Sequence, residues 1–235
     1  MKITLLTGQT FDFSKEFGFD IRVKKSPTAK KLVLRIDEKN HCPVLSVPKY
    51  CSKKQALMFL RENEDWIVNM LAKLPKLCKF SDSEEICFFG KKYTISHDAK
   101  HKGTCFENGL LKVGGDGVFL HRRVKDFLKK QTLDILAEMS VKTADKIGAK
   151  LSSVSIKDTK SRWGSCSTKG NINYNWRIAL APKNVIEYLV CHEVCHLVHP
   201  NHSMTFWDEV KNICPDYKEC RNWLKIKGRE LYKYS

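Results

Sequence analysis

Apolar positions along the chain fall into two periods, and the switches between them mark the elements. FDIRVKK (19–25), KLVLRID (31–37) and CPVLSVP (42–48) cluster or alternate β-branched residues, with Asp37, Asn40 and Pro43 as turn formers between the last two. They predict a small antiparallel sheet. From Ser52 onward the period becomes helical, through Ala56, Phe59, Leu60, Trp66, Ile67, Met70, Leu71 and Leu74, and Gln55 stands at capping-box distance from Ser52. One helix ending before Pro75 follows. EICFFGKKYTI and CFENGLLKV return to strand character, with Asn108-Gly109 as a hairpin signal. Val124, Phe127, Leu128, Ile135, Leu136 and Met139 then predict the longest helix.

The remainder contains one more strand region and one more helix. Val154 and Ile156 alternate with polar residues. Ile172, Tyr174, Trp176, Ile178 and Leu180 give an apolar face opposite Asn171, Asn173, Asn175, Arg177 and Ala179, which predicts a strand to Leu180 with one wet side. After Pro182, VIEYLVCHEVCHLV reads as a helix that ends before Pro200. The order is that of an α+β protein in three regions: a β-sheet and helix over 1–76, a hairpin-rich middle segment over 77–120, and a C-terminal domain over 121–235.

At 235 residues, 42% hydrophobic and mean hydropathy −0.39, the chain can bury a proper core and is not fibrous or disordered. No apolar run reaches the roughly 20 residues that cross a bilayer, and MKITLLTGQTFDF has neither a sustained apolar stretch nor a cleavage site. The expectation is a cytoplasmic protein without membrane contact. Lys+Arg 42 against Asp+Glu 26 leaves a net charge of +16, spread as short pairs such as Lys24-Lys25 and Arg122-Arg123. That pattern describes a solvated basic surface open to non-specific contact with nucleic acid or other polyanions. The ten cysteines include no C-x-x-C pair, which excludes finger and ribbon zinc sites and thioredoxin-type chemistry and leaves mostly buried thiols.

Candidate chemistry concentrates in His192-Glu193-Val194-Cys195-His196, an H-E-x-x-H pattern. Residues four apart on a helix share a face, so both imidazoles can reach one metal ion while the glutamate lies beside them. His202, just beyond the helix-stopping Pro200, is the leading third ligand; His199, Glu209 and Glu219 are the alternatives. Three nitrogens and an open position suit one catalytic Zn2+. Cys191 and Cys195 point to another side of the helix and read as packing. Phe206, Trp207, Val210 and Ile213 keep helical spacing after Ser203, a candidate N-cap, and would brace the turn carrying His202.

CHEVCHLVHPNHSMTFWDEV, with the upstream SRWGSCSTKGNINYNWRIALAP, resembles the YgjP-like metallopeptidase family, which is related to the SprT and WLM zinc peptidases. The R-W-G-S-C segment at Arg162–Cys166, the H-P-N-H-S turn and Phe206-Trp207 share in the likeness, which extends over nearly the whole chain. The resemblance implies a zincin-like unit with the H-E-x-x-H helix beside a small antiparallel sheet and an N-terminal β-rich region. It also implies His192, His196 and His202 as zinc ligands and Glu193 as catalytic base. His199 stands where the extended metzincin motif has glycine, so that clan's turn is not carried over, and 77–120 is longer than a minimal member needs.

The expected activity is hydrolysis of peptide bonds in a peptide or protein substrate. Asn173, Asn175 and Arg177 are the candidate substrate contacts, on a strand that an extended peptide can join. Trp163-Gly164-Ser165 reads as a tight turn anchored by the indole. Two other functions share the same residues: hydrolysis of a nucleotide or other phosphoanhydride, favoured by the charge but lacking a Walker loop, and a SprT-like protease role on nucleic acid, lacking any nucleic-acid motif.

Overall fold

The computed structural model describes residues 16–37, 40–74, 76–159 and 161–234. The N-terminal MKITLLTGQTFDF segment and Pro75, the expected helix stop, lie outside them. The fold is α+β, in two compact units that divide after Lys76.

In the first unit, β1 (Arg22–Ser26), β2 (Val33–Asp37) and β3 (Cys42–Pro48) form a sheet of order β1-β3-β2. β2 pairs antiparallel with β3, but β1 pairs parallel, so the sheet is mixed rather than antiparallel. The expected single helix is two. α1 (Lys53–Glu62) starts on the Ser52–Gln55 capping box, and α2 (Glu64–Ala72) follows a break at Asn63. There the Asn63 amide donates to the Phe59 carbonyl at 2.8 Å, a local bond that competes with the helical ladder. Ala56, Leu60 and Ile67 pack with Val23, Leu45 and Val47 into this unit's core.

The second unit opens with β4 (Glu85–Phe88), β5 (Lys91–Asp98), β6 (Thr104–Glu107) and β7 (Leu110–Gly114), in the order β4-β5-β7-β6. Asn108 (φ 50) and Gly109 (φ 77) form the two-residue turn between β6 and β7, both in the left-handed region that this hairpin requires. α3 (Leu120–Lys146) buries Val124, Leu128, Leu136 and Ala144 in the same core as Ile95, Leu111 and Val113.

β8 (Ser153–Lys157), β9 (Gly164–Cys166) and β10 (Asn171–Asn175) make a third sheet of order β8-β10-β9, with β10 parallel to β8 and antiparallel to β9. The sheet beside the H-E-x-x-H helix is therefore mixed, and its edge on that side is β9. α4 (Lys183–Cys195) contacts β9, α3 and the two helices that follow, α5 (Met204–Ile213) and α6 (Tyr217–Lys227). Leu189, Val190 and Val194 of α4 sit in the main core with Tyr174, Trp176 and Phe206. No helix among the described residues is long and apolar enough to cross a membrane.

Candidate metal centre

His192 lies in the last turn of α4 and His196 at its C-cap. The chain then bends through Pro200, and His202 returns over them immediately before α5, whose N-terminus is capped by Ser203 accepting from the Phe206 amide at 3.4 Å. One nitrogen from each of His192, His196 and His202 lies within 4.8 Å of the others, and among the described residues this is the one group of three or more such side chains that can hold a metal ion. His192 Nε2 and His202 Nε2 are 3.1 Å apart, close to the separation of about 3.3 Å between two nitrogens bound tetrahedrally at zinc distances. The donor set thus fits a divalent ion of zinc's kind.

All three imidazoles rest on one side chain. Phe206, fully buried, stacks on His196 at 4.6 Å and meets His192 and His202 edge-on at 5.1 and 4.9 Å. Trp207 stacks on His202 at 5.5 Å, with Arg221 over its own ring at 4.8 Å. His196 Nδ1 donates to the His199 carbonyl at 3.0 Å, which fixes the tautomer and turns the Nε2 lone pair inward. His199 thus contributes through its backbone, while Glu209 and Glu219 stand outside the triad. Burial, reinforced by the neighbouring imidazoles, pushes His192 down to about 3, and burial lowers His202 as well. Both rings are therefore neutral near pH 7, as ligation requires.

Glu193 is 4% exposed. Burial pushes its carboxyl up to about 8, opposed only by the charge of Arg162. Gly164 of β9 faces it so closely that a Cβ there would sit 2.5 Å from Glu193 Cδ and 2.6 Å from Cγ. The segment expected as a tight turn is thus an edge strand whose missing side chain makes room for the glutamate. Only the pairing of β9 with β10 reveals this; sequence reasoning missed it because R-W-G-S-C carries no strand periodicity. Cys166, at the end of β9, is held by burial at about 11 and is a neutral thiol. Cys191 and Cys195 are buried, with sulfurs 4.0 Å apart and away from the triad.

The expected substrate contacts lie elsewhere. The strand stops at Asn175, and Trp176–Leu180 is a buried 3-10 turn, so the expected wet face does not exist there. Asn175 Oδ1 accepts from the Arg177 amide at 3.0 Å, and its Nδ2 donates to Thr159 O at 2.8 Å and Tyr232 Oη at 3.1 Å. Arg177 is fully buried: Nε donates to the Tyr234 carbonyl at 2.8 Å, Nη1 pairs with Asp158 at 2.6 Å, and the guanidinium lies between the Trp176 and Tyr232 rings. Both side chains are engaged in bonds that tie this segment to Thr159, Asp158 and the C-terminal turn. Asn173 accepts from Ser155 of β8 at 2.5 Å, a cross-strand bond. None of the three joins the triad.

Known proteins share this arrangement of sequence in part. A family model described as YgjP-like, metallopeptidase domain, matches residues 30–227. No curated protein matches the chain. Two solved structures are similar over part of it. The metallopeptidase zymogen abylysin of Pyrococcus abyssi shares 26% identity over 38% of this chain and 93% of its own, at a TM-score of 0.35. The metallopeptidase zymogen jannalysin of Methanocaldococcus jannaschii shares 19% over 38% of this chain and 95% of its own, at a TM-score of 0.33.

Proposed function

The chain belongs to the YgjP-like metallopeptidase family, and from that premise we propose that it hydrolyses peptide bonds with one zinc ion held by His192, His196 and His202. The observation that carries this reading is the convergence of three imidazoles next to a buried carboxyl, with an edge strand alongside. Zinc bound there supplies an acidified water and polarises a carbonyl.

The chain's own residues do the rest. Glu193, adjacent in sequence to one ligand and buried against Gly164, accepts the proton of the attacking water and returns it to the leaving amine. Burial against Gly164 holds the carboxyl in place for that exchange. His196 is held by the His199 carbonyl, and Phe206 and Trp207 fix the imidazole planes. β9 offers its free edge to an extended peptide, placing a scissile bond beside Glu193 through main-chain hydrogen bonds. The role first expected of the Asn173–Arg177 face passes to this strand.

The test is metal content by mass spectrometry with a parallel assay on an unstructured protein. The wild type is expected to carry one equivalent of zinc and to lose activity to a chelator. Glu193→Gln should keep the metal and lose turnover by a factor of at least about 100, and His202→Ala should lose both. Undiminished activity in Glu193→Gln would sink the assignment.

A further inference from the structure

His196 borders more than the triad. A cavity of about 430 Å3 lies at the end of α4, bounded by His196, Leu197 and Pro200 and, from the β9–β10 turn and the segment leading into β8, by Lys150, Thr168 and Lys169. No carboxylate lines it. Both lysines are exposed, and neither forms an ion pair among the described residues. A basic cavity that shares a wall with a candidate metal ligand is placed to meet whatever the metal acts on.

The chain direction gives the reach. β9 passes Glu193 at Gly164 and runs into the turn that carries Thr168 and Lys169. Four residues of extended chain cover about 13 Å, so a peptide lying along β9 with its reacting bond at Glu193 reaches the cavity within about four residues. An acidic side chain arriving there gains two ammonium groups without breaking an existing ion pair, whereas a lysine or arginine meets like charge. The space is ample for a glutamate side chain with its water.

We propose that this cavity is a subsite that selects an aspartate or glutamate within about four residues of the bond to be cleaved. The inference rests on the peptidase reading above and adds the class of substrate. Exposed ion pairs are individually weak, and two lysines at partial occupancy imply a preference of about fivefold to tenfold.

The experiment uses the full-length, zinc-loaded protein and one neutral peptide in which Glu, Gln or Lys is placed in turn at each of the four positions on either side of the cleaved bond. At one position kcat/KM is expected to follow Glu > Gln > Lys, with the gap narrowing at high salt. In Lys150→Glu/Lys169→Glu the order should invert to favour the lysine peptide, which loss of a merely structural lysine would not produce. If the reversed protein fails to fold, Lys150→Gln/Lys169→Gln should bring the Glu-to-Gln ratio toward one. Peptides all cleaved at equal rates, or a preference that survives these substitutions, overturn the subsite and leave the peptidase standing. Failure to cleave any peptide, or cleavage indifferent to chelation, overturns the peptidase and the subsite with it.

Discussion

Gly164→Ala adds one methyl group to the edge strand, directly over the proposed general base. The new Cβ would lie 2.5 Å from Glu193 Cδ and 2.6 Å from Cγ, and still closer to Oε1. Carbon atoms in contact settle at about 3.5–4.0 Å, so either the carboxyl or the strand must move by about 1 Å. Glu193 is 4% exposed, and β9 is tied to β10 through the Ile172–Cys166 and Tyr174–Gly164 pairs. Overpacking of this kind costs about 1–3 kcal/mol of stability, which the fold survives. A reacting group displaced by about 1 Å costs about 100-fold in rate. The expected outcome is therefore a folded protein with its zinc and about 1% of wild-type kcat. Gly18→Ala, where nothing lies within 4 Å of the added carbon, serves as the control that keeps full activity. The assay is peptide hydrolysis at saturating substrate beside metal content and a thermal melt. A Gly164→Ala protein that holds its zinc and turns over at the wild-type rate would refute both the contact and the role given to Glu193.

Phe206→Ala removes the buried ring beneath all three imidazoles; a loss of about 3–5 kcal/mol is expected, with zinc affinity falling by about tenfold or more in competitive chelator titrations, and an unchanged affinity would show that the ring does not orient the ligands. Arg177→Ala removes the buried guanidinium that binds Asp158 and the Tyr234 carbonyl; the melting temperature should drop by about 6–12 °C for a cost of about 3 kcal/mol, while zinc content holds, and a substrate role would instead show as a raised KM in a stable protein. In the metal-free protein, the Glu193 carboxyl binds its proton more tightly folded (about 8) than at its ordinary value of 4.5, so its burial costs stability progressively as pH rises from one to the other. Glu193→Gln removes that cost, and in chelator the variant should melt higher than the wild type by an amount that grows with pH to roughly 1–3 kcal/mol near pH 7; a difference independent of pH would show that the carboxyl is not held protonated.

What the sequence made legible and what it hid divide along the range of the interactions. The metal helix could be seen because its signal is local: two histidines four apart with a glutamate between them share a face on any α-helix. The Asn108-Gly109 hairpin and the Ser52 and Ser203 caps are local in the same sense. Two elements went wrong where a short polar side chain bonds to nearby backbone against the prevailing period. Asn63 splits the expected helix by bonding Phe59, and Asn175 ends the strand by accepting from the Arg177 amide, after which every residue to Leu180 is buried. An alternation of apolar and polar residues there looks like a half-wet strand, but the polar members Asn175 and Arg177 bond instead to residues far along the chain, Thr159, Tyr232 and Tyr234. Gly164 was hidden for the same reason: its importance lies in a side chain 29 positions later that meets it only once β9 packs on α4. The functional consequence is specific. Ligation is encoded in one helix and the turn after it, whereas placement of the base is encoded in a strand-to-helix contact, so substitutions in β9 should separate zinc binding from turnover in a way that none within H-E-x-x-H except at Glu193 can.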